Sequence, residues 1–107
     1  MAVVFLATAI LVEIVATLAL RASDGFSRPG PTLLAVAGYV MAFALLAQAL
    51  KTIEVGIAYA VWAGVGTAAI TVIGIVALGE SSALLKLVGT AFIVVGVVLL
   101  NVSSATS

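Results

Sequence analysis

Polar residues break this chain into four long apolar runs. The runs cover about residues 2–20, 32–50, 57–78 and 84–102, with lengths of 19, 19, 22 and 19 residues. Three short polar stretches separate them. Arg21–Pro31 holds Arg21, Ser23, Asp24, Gly25, Ser27, Arg28, Pro29 and Gly30; Lys51 and Glu54 precede Gly56; Glu80, within Gly79–Ala83, and Lys86, just after it, mark the third. An α-helix needs about 20 apolar residues to cross a hydrocarbon layer ~30 Å thick, and all four runs meet that length. Transmembrane strands would read as alternating segments of about 10 residues, whereas these runs are continuously apolar. The pattern therefore predicts an all-α membrane protein. Its four transmembrane helices form a single domain over residues 1–107, and connections of about 11, 6 and 5 residues make successive helices antiparallel neighbours. A cleaved signal peptide fits the first run poorly, because no basic residue precedes Arg21 and Glu13 interrupts its middle.

Composition sharpens this picture. The 107 residues are 65% hydrophobic and only 7% charged, far from the roughly 25% of soluble domains, so a water-facing shell cannot be built. Four basic and four acidic residues cancel, which excludes nucleic acid as a partner bound by phosphate neutralisation. Cys and His are absent, which removes disulfides, thiolate chemistry and the common transition-metal ligand sets; no metal site is expected. No nucleophile–base pair or phosphate loop suggests an enzyme. Arg21, Arg28 and Lys86 lie on one side of the membrane and Lys51 on the other, a three-to-one bias that orients the chain only weakly.

Seven charges mark helix ends. The eighth, Glu13, falls near mid-bilayer in the first run. An ionisable residue at that depth is costly to insert and is a functional-site candidate by default. Ala9, Ala16 and Thr17 stand at i−4, i+3 and i+4 and so share its face, which is small enough to admit a partner helix or a ligand. No basic residue in any helix interior can neutralise Glu13. Dry surroundings penalise a bare charge, so the carboxyl is expected to hold either a proton or a cation. The competing role is a protonated Glu making an interhelical hydrogen bond. Tyr59 and Trp62, at i and i+3 on the third run, and Tyr39 in the second offer aromatic faces suited to an organic cation. Tyr59 also fits an interfacial anchor. Gly64 and Gly66 read as a helix hinge or a close crossing. Gly89 and Gly96, two turns apart on the charge-poor fourth run, read as a dimerisation stripe.

These residues resemble the small multidrug resistance family over essentially the whole chain. The resemblance rests on the four short helices, Glu13, the loop Ser23-Asp24-Gly25-Phe26-Ser27-Arg28, the run Gly56-Ile57-Ala58-Tyr59-Ala60-Val61-Trp62-Ala63-Gly64-Val65-Gly66, and the ending Gly96-Val97-Val98-Leu99-Leu100-Asn101. It implies a multi-pass protein of the bacterial cytoplasmic membrane, working as an antiparallel homodimer with dual topology. It also implies a proton-coupled antiporter that needs no cofactor beyond the proton gradient. Protons and small lipophilic cations would compete for Glu13, with Tyr39, Tyr59 and Trp62 as the aromatic wall and Gly64 and Gly66 as the kink. Tyr39 and Asn101 match the quaternary-ammonium subtype. Guanidinium export is the alternative within the family, and a small structural or rotor proteolipid with a buried carboxyl is the alternative outside it. Glu54, where the family usually has Pro, and Pro29-Gly30-Pro31, where Leu-Trp-Pro is common, depart from the pattern.

Overall fold

The computed structural model describes residues 1–106, with side chains through Ser103. Four helices occupy the four apolar runs: α1 (Ala2–Ala22), α2 (Pro29–Ala49), α3 (Val55–Ala77) and α4 (Leu84–Thr106). No strand occurs among the described residues. At about 1.5 Å per residue, 21 to 23 residues span the hydrocarbon layer. Each helix is apolar enough to do so, α4 over Leu84–Ser103. The chain divides into two compact units, Met1–Ile53 and Glu54–Ser107, each a helical hairpin.

In the first unit α1 packs on α2 along two ladders of small residues. Ala9, Ala16 and Ser23 on the α1 side are fully buried, as are Ala35, Ala42 and Ala49 on α2. Both ladders step by seven residues, two helical turns, so each forms one straight stripe. In lipid, where apolar burial drives little, small residues at a seam let backbones approach and gain dispersion contact. Gly38 marks a close approach: a Cβ added there would stand 2.7 Å from the Ala16 Cβ.

The link between α1 and α2 is shorter than the apolar pattern suggests. Arg21 sits in the last turn of α1, where its charge complements the helix carbonyl end. Pro29 opens α2, because a proline at the first helical position loses no hydrogen bond and brings a helical φ. Only residues 23–28 are left to turn the chain. Asp24, Gly25 and Phe26 all take left-handed φ values, +48°, +68° and +69°. The Ser23 hydroxyl secures the turn by donating to the Leu20 carbonyl (2.6 Å) and accepting from the Phe26 amide (3.1 Å).

In the second unit α3 packs on α4. Ala58, Gly64, Gly66 and Gly74 are its buried residues on α3, whereas α4 buries none of its described residues. Gly64 meets Val97: a Cβ at Gly64 would collide with the Val97 side chain. α3 ends in a left-handed cap at Gly79 (φ +70°), with the Leu78 and Glu80 amides both donating to the Gly74 carbonyl. The Glu80 carboxylate folds back over Gly74 and pairs with Lys86 at 3.5 Å.

Candidate cation and proton site

Glu13 lies half-buried in the middle of α1, in a helix that stays regular around it. Its Oε1 accepts a hydrogen bond from the Thr17 hydroxyl at 3.2 Å, one turn further along. The same Thr17 oxygen lies 2.8 Å from the Tyr39 hydroxyl of α2. A hydroxyl has one proton to donate. With that proton directed to Glu13, Tyr39 is the donor to Thr17. The result is an ordered chain, Tyr39 to Thr17 to Glu13, that ends on the carboxylate.

The arrangement depends on the helix seam. Thr17 follows Ala16 and Tyr39 follows Gly38, a pair at a close approach of α1 to α2. A larger residue at either position would hold the two hydroxyls apart. Ala9 and Ala16, expected on the face of Glu13, are committed to the α1–α2 seam. Of the three small residues expected beside the carboxylate, Thr17 is the one hydrogen-bonded to it.

Tyr59 and Trp62 stand on α3, in the other unit. Tyr59 is 68% exposed and Trp62 half-buried. α3 runs unbroken through Gly64 and Gly66, and both glycines are buried. Beside Gly89 and Gly96 on α4 a Cβ would meet nothing within 4 Å, so both look onto open space. Asn101 spends its amide on the Val97 carbonyl one turn back (2.9 Å). A groove of about 630 Å³ in the second unit is lined by Gly64, Val65, Ala68, Val72, Val94 and Val97, among others. Its lining is wholly aliphatic, which suits hydrocarbon and offers nothing to a charge.

Gly38 escaped notice in the sequence. Its signal was an isolated glycine inside an apolar run, next to the run's only tyrosine, a pattern that marks close backbone approach. Among the described residues no group of three or more acidic side chains gathers to hold a metal ion.

Comparison with known proteins gives a consistent result. Residues 1–93 match the family model described as small multidrug resistance protein. The chain is 44% identical over 106 residues to the multidrug resistance protein of Mycobacterium leprae, covering 98% of this chain and 99% of that one. It is 45% identical over 104 residues to the quaternary ammonium compound-resistance protein QacF of Klebsiella aerogenes, covering 97% and 94%. It is 44% identical over 103 residues to the quaternary ammonium compound-resistance protein QacE of Escherichia coli, covering 96% and 94%. With four membrane-spanning helices and relatives of this length and kind, the chain belongs to the small multidrug resistance family, a multi-pass drug-efflux transporter of the bacterial inner membrane rather than an enzyme.

Proposed function

We propose that this protein is a proton-coupled antiporter that exports lipophilic and quaternary ammonium cations, with proton and cation competing for Glu13. The observation that carries the reading is the lone mid-helix carboxylate. Glu13 sits half-buried in α1, hydrogen-bonded to Thr17 and through it to Tyr39, with no basic side chain in the interior of α1 or α2. A carboxylate in that setting needs a proton or a cation to balance it. The relatives named for quaternary ammonium resistance support a cation with an apolar shell over guanidinium. Aromatic faces at Tyr39, Tyr59 and Trp62 would complement such a cation, worth up to about 2 kcal/mol each when dry.

The working unit is an antiparallel homodimer. α4 exposes apolar residues along its length, and Gly89 and Gly96 leave room there for a second helix, which supports α4 as the dimer face. The weak three-to-one charge bias supports insertion in both orientations. Two Glu13 carboxyls then share one site, so that two protons can leave for each cation that enters. From the cytoplasm the cation displaces protons; from outside protons displace the cation. Gly64 and Gly66 are the place where α3 bends between two equivalent, oppositely open states, so no separate gate is needed.

The test is Glu13→Gln in purified protein. Tetraphenylphosphonium binding and its accompanying proton release should both be lost. Binding that persists and still varies with pH would overturn the assignment. Uptake in liposomes under a pH gradient, with tetraphenylphosphonium and guanidinium side by side, tests the substrate class; preference for guanidinium would refute the quaternary-ammonium reading.

A further inference from the structure

We infer that Thr17 is a positioning residue that makes the Tyr39 hydroxyl follow the protonation of Glu13, so that the site turns a donor or an acceptor toward its ligand according to the state of the carboxyl. The inference rests on the reading of Glu13 proposed above.

Three other helical threonines set Thr17 apart. Thr8, Thr32 and Thr90 each donate their hydroxyl to the backbone carbonyl four residues back, at 2.8, 2.6 and 2.9 Å. That is the usual way a threonine satisfies itself inside a helix. Thr17 instead donates to the Glu13 carboxylate, also four residues back, and meets Tyr39 on its other side. Glu13 and Tyr39 share no direct hydrogen bond, and the Thr17 hydroxyl oxygen is the single atom that bridges them. Of the other charged groups, α1 carries only Arg21, in its last turn, and α2 carries none within the helix, with Arg28 and Lys51 just beyond its ends. Tyr39 is thus the one titratable group of the facing helix joined to Glu13.

Each oxygen–oxygen contact in the chain holds one hydrogen. With Glu13 ionised, Thr17 donates to Oε1 and Tyr39 donates to Thr17. The Tyr39 oxygen then presents its lone pairs outward, which favours a cation. When a proton arrives on Oε1, the carboxyl becomes the donor to Thr17. The Thr17 proton turns to Tyr39, and the Tyr39 proton turns outward. Two hydroxyl rotations accomplish this, with no covalent bond broken in either residue. The outward O–H dipole now opposes a cation. One proton on Glu13 therefore makes two groups unfavourable to the cation, which strengthens the exclusion of one ligand by the other.

The experiment is a double-mutant cycle on tetraphenylphosphonium binding by purified protein, with Thr17→Val, Tyr39→Phe, the double variant and Thr17→Ser. A hydrogen bond to a charged group corresponds to about tenfold in affinity, so each of the first two should weaken binding by about that factor. The double variant should bind no worse than the weaker single within about twofold, because either change already breaks the chain. Thr17→Ser keeps the hydroxyl and should stay within about threefold of wild type. Additive losses, near a hundredfold in the double variant, would overturn the relay, as would Thr17→Val at wild-type affinity. If Thr17→Val does not elute as wild type, Thr17→Ala carries the same expectation. Loss of binding in Glu13→Gln with Thr17→Val unaffected would sink only this inference. Binding retained in Glu13→Gln would sink the reading on which it rests.

Discussion

Exchanging the sizes of Gly38 and Ala16 tests how the α1–α2 seam holds the site. In Gly38→Ala the new Cβ would lie 2.7 Å from the Ala16 Cβ, whereas carbon atoms rest about 3.5–4.0 Å apart. The helices must part locally by about 1 Å. Overpacking of that kind costs about 1–3 kcal/mol, offset by the ~1 kcal/mol that alanine gains over glycine in a helix. The consequence for the site is larger than that for stability. Thr17 and Tyr39 adjoin the contact, and their hydroxyls are 2.8 Å apart. Opened by about 1 Å, that bond passes the distance at which a hydrogen bond survives. Titration of the purified variant with tetraphenylphosphonium should show affinity reduced by about tenfold, alongside a modest fall in thermal midpoint in detergent. Adding Ala16→Gly removes the obstructing methyl and leaves the Ala16 Cα at 3.4 Å, an ordinary contact. The swapped pair should regain wild-type affinity, with helix propensity gained at one position and lost at the other. Wild-type binding in Gly38→Ala, or failure of Ala16→Gly to restore it, would refute the reasoning.

Other expectations follow from the same close contacts and turns. Gly64→Ala forces a methyl against Val97, whose branched side chain cannot withdraw, and should cost about 1–3 kcal/mol in detergent unfolding; Val97→Ala in the same chain should recover most of it. Gly74→Ala meets only the mobile end of Glu80, which can swing aside, so its cost should stay below about 1 kcal/mol. Phe26→Gly relieves a left-handed φ of +69° at a residue 62% exposed, and should raise the thermal midpoint by the equivalent of up to about 1 kcal/mol. Ser23→Ala removes both hydroxyl bonds of the same turn and should lower it by about 1–2 kcal/mol.

Much of this was legible in the sequence, for reasons that also mark the limit. The four helices could be read because runs of about 20 apolar residues have few other uses. Glu13 stood out because lipid makes a mid-helix charge expensive. The start of α2 was less legible: Pro29 and Pro31 read as loop residues, yet a proline in the first helical turn is equally a helix opener. The Ala9, Ala16, Ser23 and Ala35, Ala42, Ala49 ladders were hidden because alanine is spread through every run, and helices apolar all round carry no stripe to pick out. The link from Thr17 to Tyr39 depends on the register of α1 against α2. Spacing within one helix identifies neighbours of Glu13 on α1 but says nothing of which residue of α2 faces them.

Ser23 is both the last rung of one ladder and the first residue of the turn, so the seam and the reversal of the chain share an anchor. This divides the hairpin into positions under very different steric constraint. At the rungs a change of one methyl moves two helices, and with them the Thr17–Tyr39 contact. On the outward faces, at residues such as Val3, Leu11, Leu33 and Val40, one apolar side chain can replace another without disturbing anything inside. The outward positions of the hairpin thus ask only for an apolar side chain, whereas each rung that sets the geometry around Glu13 is restricted in size.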